Sequence, residues 1–128
     1  MAPPPTHEDE LEELASGEQL VVYRIVREPD PASPTYAESF RSHADLDLPP
    51  RGPELSHPLV YDGISVFDSE AAAAETARKF PVLGSHIAEL HVTASTDARF
   101  FRWGANGHLT LWGDPLKLAG ATVDTIPI

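Results

Sequence analysis

The hydrophobic pattern is densest at Gln19 to Arg27, QLVVYRIVR, where apolar residues fall on both faces of an extended chain. Val22 and Val26 lie on one side and Val21, Tyr23 and Ile25 on the other, which predicts a central strand covered on both faces. Arg24 shares the side of Val22 and Val26, so it either lines a pocket at the sheet face or meets an acid, because an unpaired buried charge costs several kcal/mol, on the order of 3 to 5. From Tyr61 to Pro81, YDGISVFDSEAAAAETARKFP, the period changes. Gly63 opens a short strand carrying Ile64, Val66 and Phe67. Asp68 or Ser69 offers a cap oxygen, and an alanine-rich helix over Ser69 to Phe80 presents Ala73, Ala77 and Phe80 on one face until Pro81 stops it.

His86 to Thr93 alternates as a strand, with Ala88, Leu90 and Val92 inward and Ile87, Glu89 and His91 opposite. Ala98 to Trp103 predicts another strand, Asn106-Gly107 a turn, and His108 to Leu111 a third strand. Asp114-Pro115 caps a short helix that Gly120 closes, before a final strand in ATVDTIPI. Earlier in the chain, Thr6 caps a predicted helix in HEDELEELAS with a narrow Leu11 and Leu14 stripe, and Thr35 caps another in YAESFRSHAD with Tyr36 and Phe40 as its packing face. Asp45 to Pro58, with four prolines and a glycine, reads as a long loop, either a binding loop or a disordered insertion. The predicted fold class is α+β: one domain over residues 19 to 128, with a mixed, mostly antiparallel sheet and flanking helices. Residues 1 to 18 form an acidic arm or helix before it.

Composition narrows the function classes. The chain of 128 residues has no cysteine, which excludes disulfides and thiolate zinc sites and fits a cytoplasmic protein. No segment resembles a secretory signal or a membrane span, so no membrane association is expected. The net charge of −11 disfavours nucleic acid as a partner. Six of the acids lie in residues 1 to 18, leaving a body that can still carry a local basic pocket. Seven of the nine basic residues are arginine. Arginine suits forked recognition of phosphate or carboxylate, and the plainer source of such a bias is a GC-rich genome.

The six histidines include one close pair, His86 and His91, which fall on opposite strand faces and so predict no shared metal. No hydroxyl sits in a nucleophile-elbow motif. Glu89 and His91 share a strand face as either an acid–base pair or an ordinary solvated pair. In GANGHLTLWGDP, His108, Thr110 and Trp112 face one way between glycines, a surface for a flat ligand unless Trp112 is simply core.

Three segments together resemble the ADP-ribosyltransferase fold of mono-ADP-ribosylating toxins and small bacterial relatives. VVYRIVR resembles the strand that supplies an arginine or histidine. GISVFDSEAAAAETARKF resembles the strand and helix that carry a serine or tyrosine, and GHLTLWGDPLKLAGATVDTIPI resembles the late strand with the catalytic glutamate. The resemblance implies NAD as substrate, with Arg24 on its ribose or pyrophosphate, Ser65 beneath the nicotinamide, Phe67 stacked on the ring and Tyr23 as a further contact. His108 takes the glutamate's position and would be the catalytic residue. A neutral histidine can make the glutamate's hydrogen bond to the ribose but cannot supply its negative charge. Two classes therefore follow: an enzyme that splits the nicotinamide–ribose bond and transfers ADP-ribose, or a non-catalytic binding or regulatory module that meets a nucleotide-like small molecule or a protein partner.

Overall fold

The computed structural model describes residues 2–128. Seven strands form one sheet: β1 (Glu12–Glu13), β2 (Gln19–Val26), β3 (Ile64–Phe67), β4 (His86–Thr93), β5 (Arg99–Arg102), β6 (His108–Trp112) and β7 (Thr122–Pro127). Their spatial order is β1-β5-β6-β3-β2-β4-β7, and every pairing between them is antiparallel, so the expected parallel component is missing. Among the described residues, three helices accompany the sheet: α1 (Pro58–Tyr61), α2 (Glu70–Lys79) and α3 (Pro115–Gly120). None of them is long and apolar enough to cross a membrane.

The alternation in β2 and β4 builds two cores. Val22, Val26, Ala88, Leu90 and Val92 bury one sheet face beneath Tyr36, Phe40 and Leu118. Ile25, Ile87 and Phe67 bury the other beneath Ala73, Ala74 and Ala77 of α2. Small residues let this helix lie close to the sheet. Its start is fixed by Ser69, whose Oγ accepts from the Ala72 N–H at 3.2 Å, and Glu70 and Arg78–Lys79 stand at the ends the helix dipole favours. Phe80, expected on the buried face, is instead 57% exposed, because the chain leaves the helix at that residue and turns into Pro81.

Two local expectations change, and a loop left open between two readings takes one of them. The predicted N-terminal helix is a single 3-10 turn, Glu8–Glu10. The Glu10 carboxylate captures both the Thr6 N–H and its hydroxyl, at 3.0 and 3.2 Å, and the chain then extends so that β1 pairs with β5. A two-leucine stripe offers a short helix too little burial to offset nucleation, whereas the edge of β5 offers a ready ladder. Met1 of that arm lies outside the described residues. The helix expected from Tyr36 is also one 3-10 segment, ending at Phe40. Beyond it Ser42 and Asp45 exchange side-chain bonds with each other's backbone N–H, at 3.2 and 3.0 Å, a local alternative to continued helix. The proline-rich stretch is an ordered strap containing a 3-10 turn at Gly52–Leu55 and held by Tyr61, whose hydroxyl donates to the Leu48 carbonyl.

Candidate functional site

The site exists because the β2–β3 ladder is short. β2 pairs with β4 at all eight positions and β3 with β6 at all four, but β2 and β3 meet only at Tyr23 and Phe67. Past that point a cleft opens between Ile25 of β2 and Ile64–Ser65 of β3. Arg24 spans it. Its Nε donates to the Ser39 carbonyl at 3.0 Å and one Nη to the Ser65 carbonyl at 2.8 Å.

Among the described residues, no carboxylate pairs with Arg24. Burial, with a smaller contribution from Arg27, pushes its pKa down to about 10. Both protein bonds go to neutral carbonyls, so the guanidinium keeps its full charge and its remaining N–H donors for an anion.

The cleft has two adjoining chambers, of about 370 Å³ and 490 Å³, in the size range of small-molecule sites. Arg24, Arg41 and His43 line both chambers and so mark their junction. Arg41 is already matched by Glu38, at 3.3 Å, which leaves Arg24 as the junction arginine with no carboxylate in ion-pair contact. The first chamber is walled by Ser65, Phe67 and His108 together with Glu54 from the strap. The second is lined by Leu46, Leu48 and Leu83 on its apolar side and by Arg27, Glu28, Thr35, Glu38 and Ser39 on its polar side.

His108 is positioned by its neighbours. The cross-strand pairing of Phe67 with His108 puts their rings 5.8 Å apart, and the Trp103 ring stands edge-on to the imidazole at 4.7 Å. Nδ1–H donates to the Trp103 carbonyl at 3.0 Å, which leaves Nε2 to accept from the Ser65 hydroxyl at 3.0 Å. Burial lowers the His108 pKa, outweighing the opposing effect of the Trp103 carbonyl, and this favours the neutral ring. A serine hydroxyl, an accepting imidazole nitrogen and a backbone acceptor that sets the tautomer form a chain able to polarise the hydroxyl or receive its proton.

Arg24, Ser65, Phe67 and His108 thus meet in one cleft. Tyr23 lines neither chamber; its hydroxyl points to Glu89 at 3.4 Å. Trp112 is core, 7% exposed, with its indole N–H on the Leu59 carbonyl at 2.8 Å. The indole beside His108 is that of Trp103, which also satisfies the buried Thr110 hydroxyl at 2.8 Å. Glu89 and His91 do bond, at 2.7 Å, but on a different stretch of sheet, with Gln19 on the other imidazole nitrogen at 3.2 Å.

Sequence reasoning missed Glu54. Its carboxylate accepts from His43 Nδ1–H at 2.8 Å and from the Arg51 backbone N–H at 2.8 Å, which fixes it in the first chamber. Its only sequence signal was its place in a proline-rich loop long enough to be a binding strap. Among the described residues, no group of three or more His, Cys, Asp or Glu side chains could hold a metal ion. No family model, curated protein or solved structure matches the chain significantly.

Proposed function

We propose that the cleft binds NAD and that the protein is an ADP-ribosyltransferase-like enzyme that breaks the nicotinamide–ribose bond. The observation that carries this reading is Arg24, held by two carbonyls and in ion-pair contact with no carboxylate, at the junction of two chambers. NAD has the matching form, two flat heads joined by a pyrophosphate. A half-buried forked cation with no carboxylate in ion-pair contact, in a chain of net charge −11, suits an anionic ligand. The first chamber suits nicotinamide and its ribose, with Phe67 and His108 as aromatic walls. The apolar side of the second suits adenine.

Glu54 supplies what His108 cannot. As the nicotinamide bond breaks, positive charge grows on the ribose, and a carboxylate fixed in the same chamber stabilises it. His108 then contributes hydrogen bonding and proton acceptance rather than charge.

The test is an assay for free nicotinamide on wild type and Glu54→Gln, with NAD binding measured in parallel. Release by wild type, slowed by roughly 100-fold or more in Glu54→Gln with binding retained, supports the enzyme. Saturable binding without release favours a regulatory module. That second reading has its own support in Phe80, which lines the first chamber, and in Leu55 and Val82, which adjoin its lining residues Glu54 and Leu83 in sequence; they are 57%, 72% and 75% exposed and would suit a protein partner. Absence of both binding and release overturns the NAD reading.

A further inference from the structure

The resemblance gives Ser65 a passive place beneath the ligand, but its surroundings are those of a reacting group. Its hydroxyl is exposed to the first chamber and bonds the Nε2 of His108 at 3.0 Å. The imidazole cannot turn away. Trp103 holds it edge-on at 4.7 Å, Phe67 packs at 5.8 Å, and the Trp103 carbonyl takes the Nδ1 proton at 3.0 Å. A carbonyl only accepts, so that bond assigns the proton to Nδ1 and the lone pair to Nε2, directed at the serine. Nucleophile, base and orienting acceptor are therefore in line within one hydrogen-bonded chain.

We propose that Ser65 is a nucleophile, with His108 as its general base, and that it becomes covalently ADP-ribosylated. The step rests on the NAD reading above. The Ser65 Oγ forms a bond to C1′ of the nicotinamide ribose. The bond from C1′ to the pyridinium nitrogen breaks, its electron pair goes to that nitrogen, and neutral nicotinamide leaves. The Ser65 proton passes to Nε2 of His108, and the imidazolium is steadied by the Trp103 carbonyl. The charge lost from the pyridinium reappears on His108, and no oxidant, reductant or metal is needed. The protein is then its own acceptor, and its first turnover is stoichiometric.

The experiment is incubation of the full chain with NAD, followed by intact-mass measurement and peptide mapping, on wild type, Ser65→Ala and His108→Gln. NAD binding to each is measured by calorimetry and folding by circular dichroism. The expected result is a gain of one ADP-ribosyl group on the peptide containing Ser65, with one equivalent of nicotinamide released. The linkage should survive neutral hydroxylamine, which would cleave the ester of a Glu54 adduct. Ser65→Ala should bind NAD and form no adduct, and His108→Gln should form it about 100-fold more slowly or worse. Unchanged adduct formation in Ser65→Ala, or nicotinamide release with no adduct on wild type, overturns the nucleophile assignment and leaves the NAD reading standing. Failure of wild type to bind NAD overturns both.

Discussion

Arg24 of β2 donates a 2.8 Å hydrogen bond to the backbone carbonyl of Ser65 on β3, across the gap where the ladder between these strands has stopped. The same contact bridges the cleft and places a cation beside the serine that faces His108. Its energetics separate a ligand-binding arginine from a structural one. Truncating an arginine in a buried ion pair strands its partner's charge and costs about 3 to 5 kcal/mol. Arg24 has only carbonyl partners, and its depressed pKa shows that the folded protein disfavours its charge. Arg24→Met should therefore change stability by only about 1 kcal/mol in either direction, since lost hydrogen bonds and relieved desolvation offset each other. Urea denaturation checks this; a loss in the ion-pair range would mark Arg24 as structural.

His108 should make stability depend on pH. Its folded pKa lies below the ordinary value of 6.5, so in mildly acidic solution the unfolded chain binds the proton more readily than the folded one. The contribution is fully present above about pH 6.5, falls as pH drops through the unfolded value, and levels off below the folded one. Melting temperatures from pH 8 to pH 5 should decline more steeply for wild type than for His108→Gln. Parallel curves would show that the ring is not held neutral.

Gly84 packs closely against the end of β2 at Ile25 and Val26. A Cβ there would collide with the Val26 carbonyl and come within 3.0 Å of Ile25 Cγ2. Backbone at this contact cannot yield cheaply, so Gly84→Ala should cost about 1 to 3 kcal/mol. Gly120→Ala, where the added methyl meets nothing within 4 Å, is the control and should be neutral or gain up to about 1 kcal/mol. Chemical denaturation of both variants measures the difference.

The legible parts of this fold were those specified locally. The two-faced alternation of Gln19–Val26, the inward Ala88, Leu90 and Val92, the Ser69 cap with its Pro81 stop, and the Asp114-Pro115 helix start all stand as the pattern implies. Residues 7 to 16 and 36 to 45 misled because short polar side chains, Thr6 with Glu10 and Ser42 with Asp45, close turns that compete with helix. The cleft was half legible. Arg24, Ser65 and His108 could be named, but Ser65 and His108 meet through the β3–β6 register and Arg24 joins them through the single Tyr23–Phe67 bridge, long-range pairings with no local signature. Glu54 was invisible because its role comes from where the strap folds back rather than from its neighbours in sequence.

If Arg24 anchors NAD in this cleft, calorimetric titration of NAD into wild type and Arg24→Met at equal folded concentration will show it. Wild type should bind one NAD per chain with a saturable heat, and loss of a charge-assisted contact to the pyrophosphate should weaken the variant by at least roughly tenfold. No heat with wild type, or equal affinity in the two proteins, would rule out Arg24 as an NAD anchor.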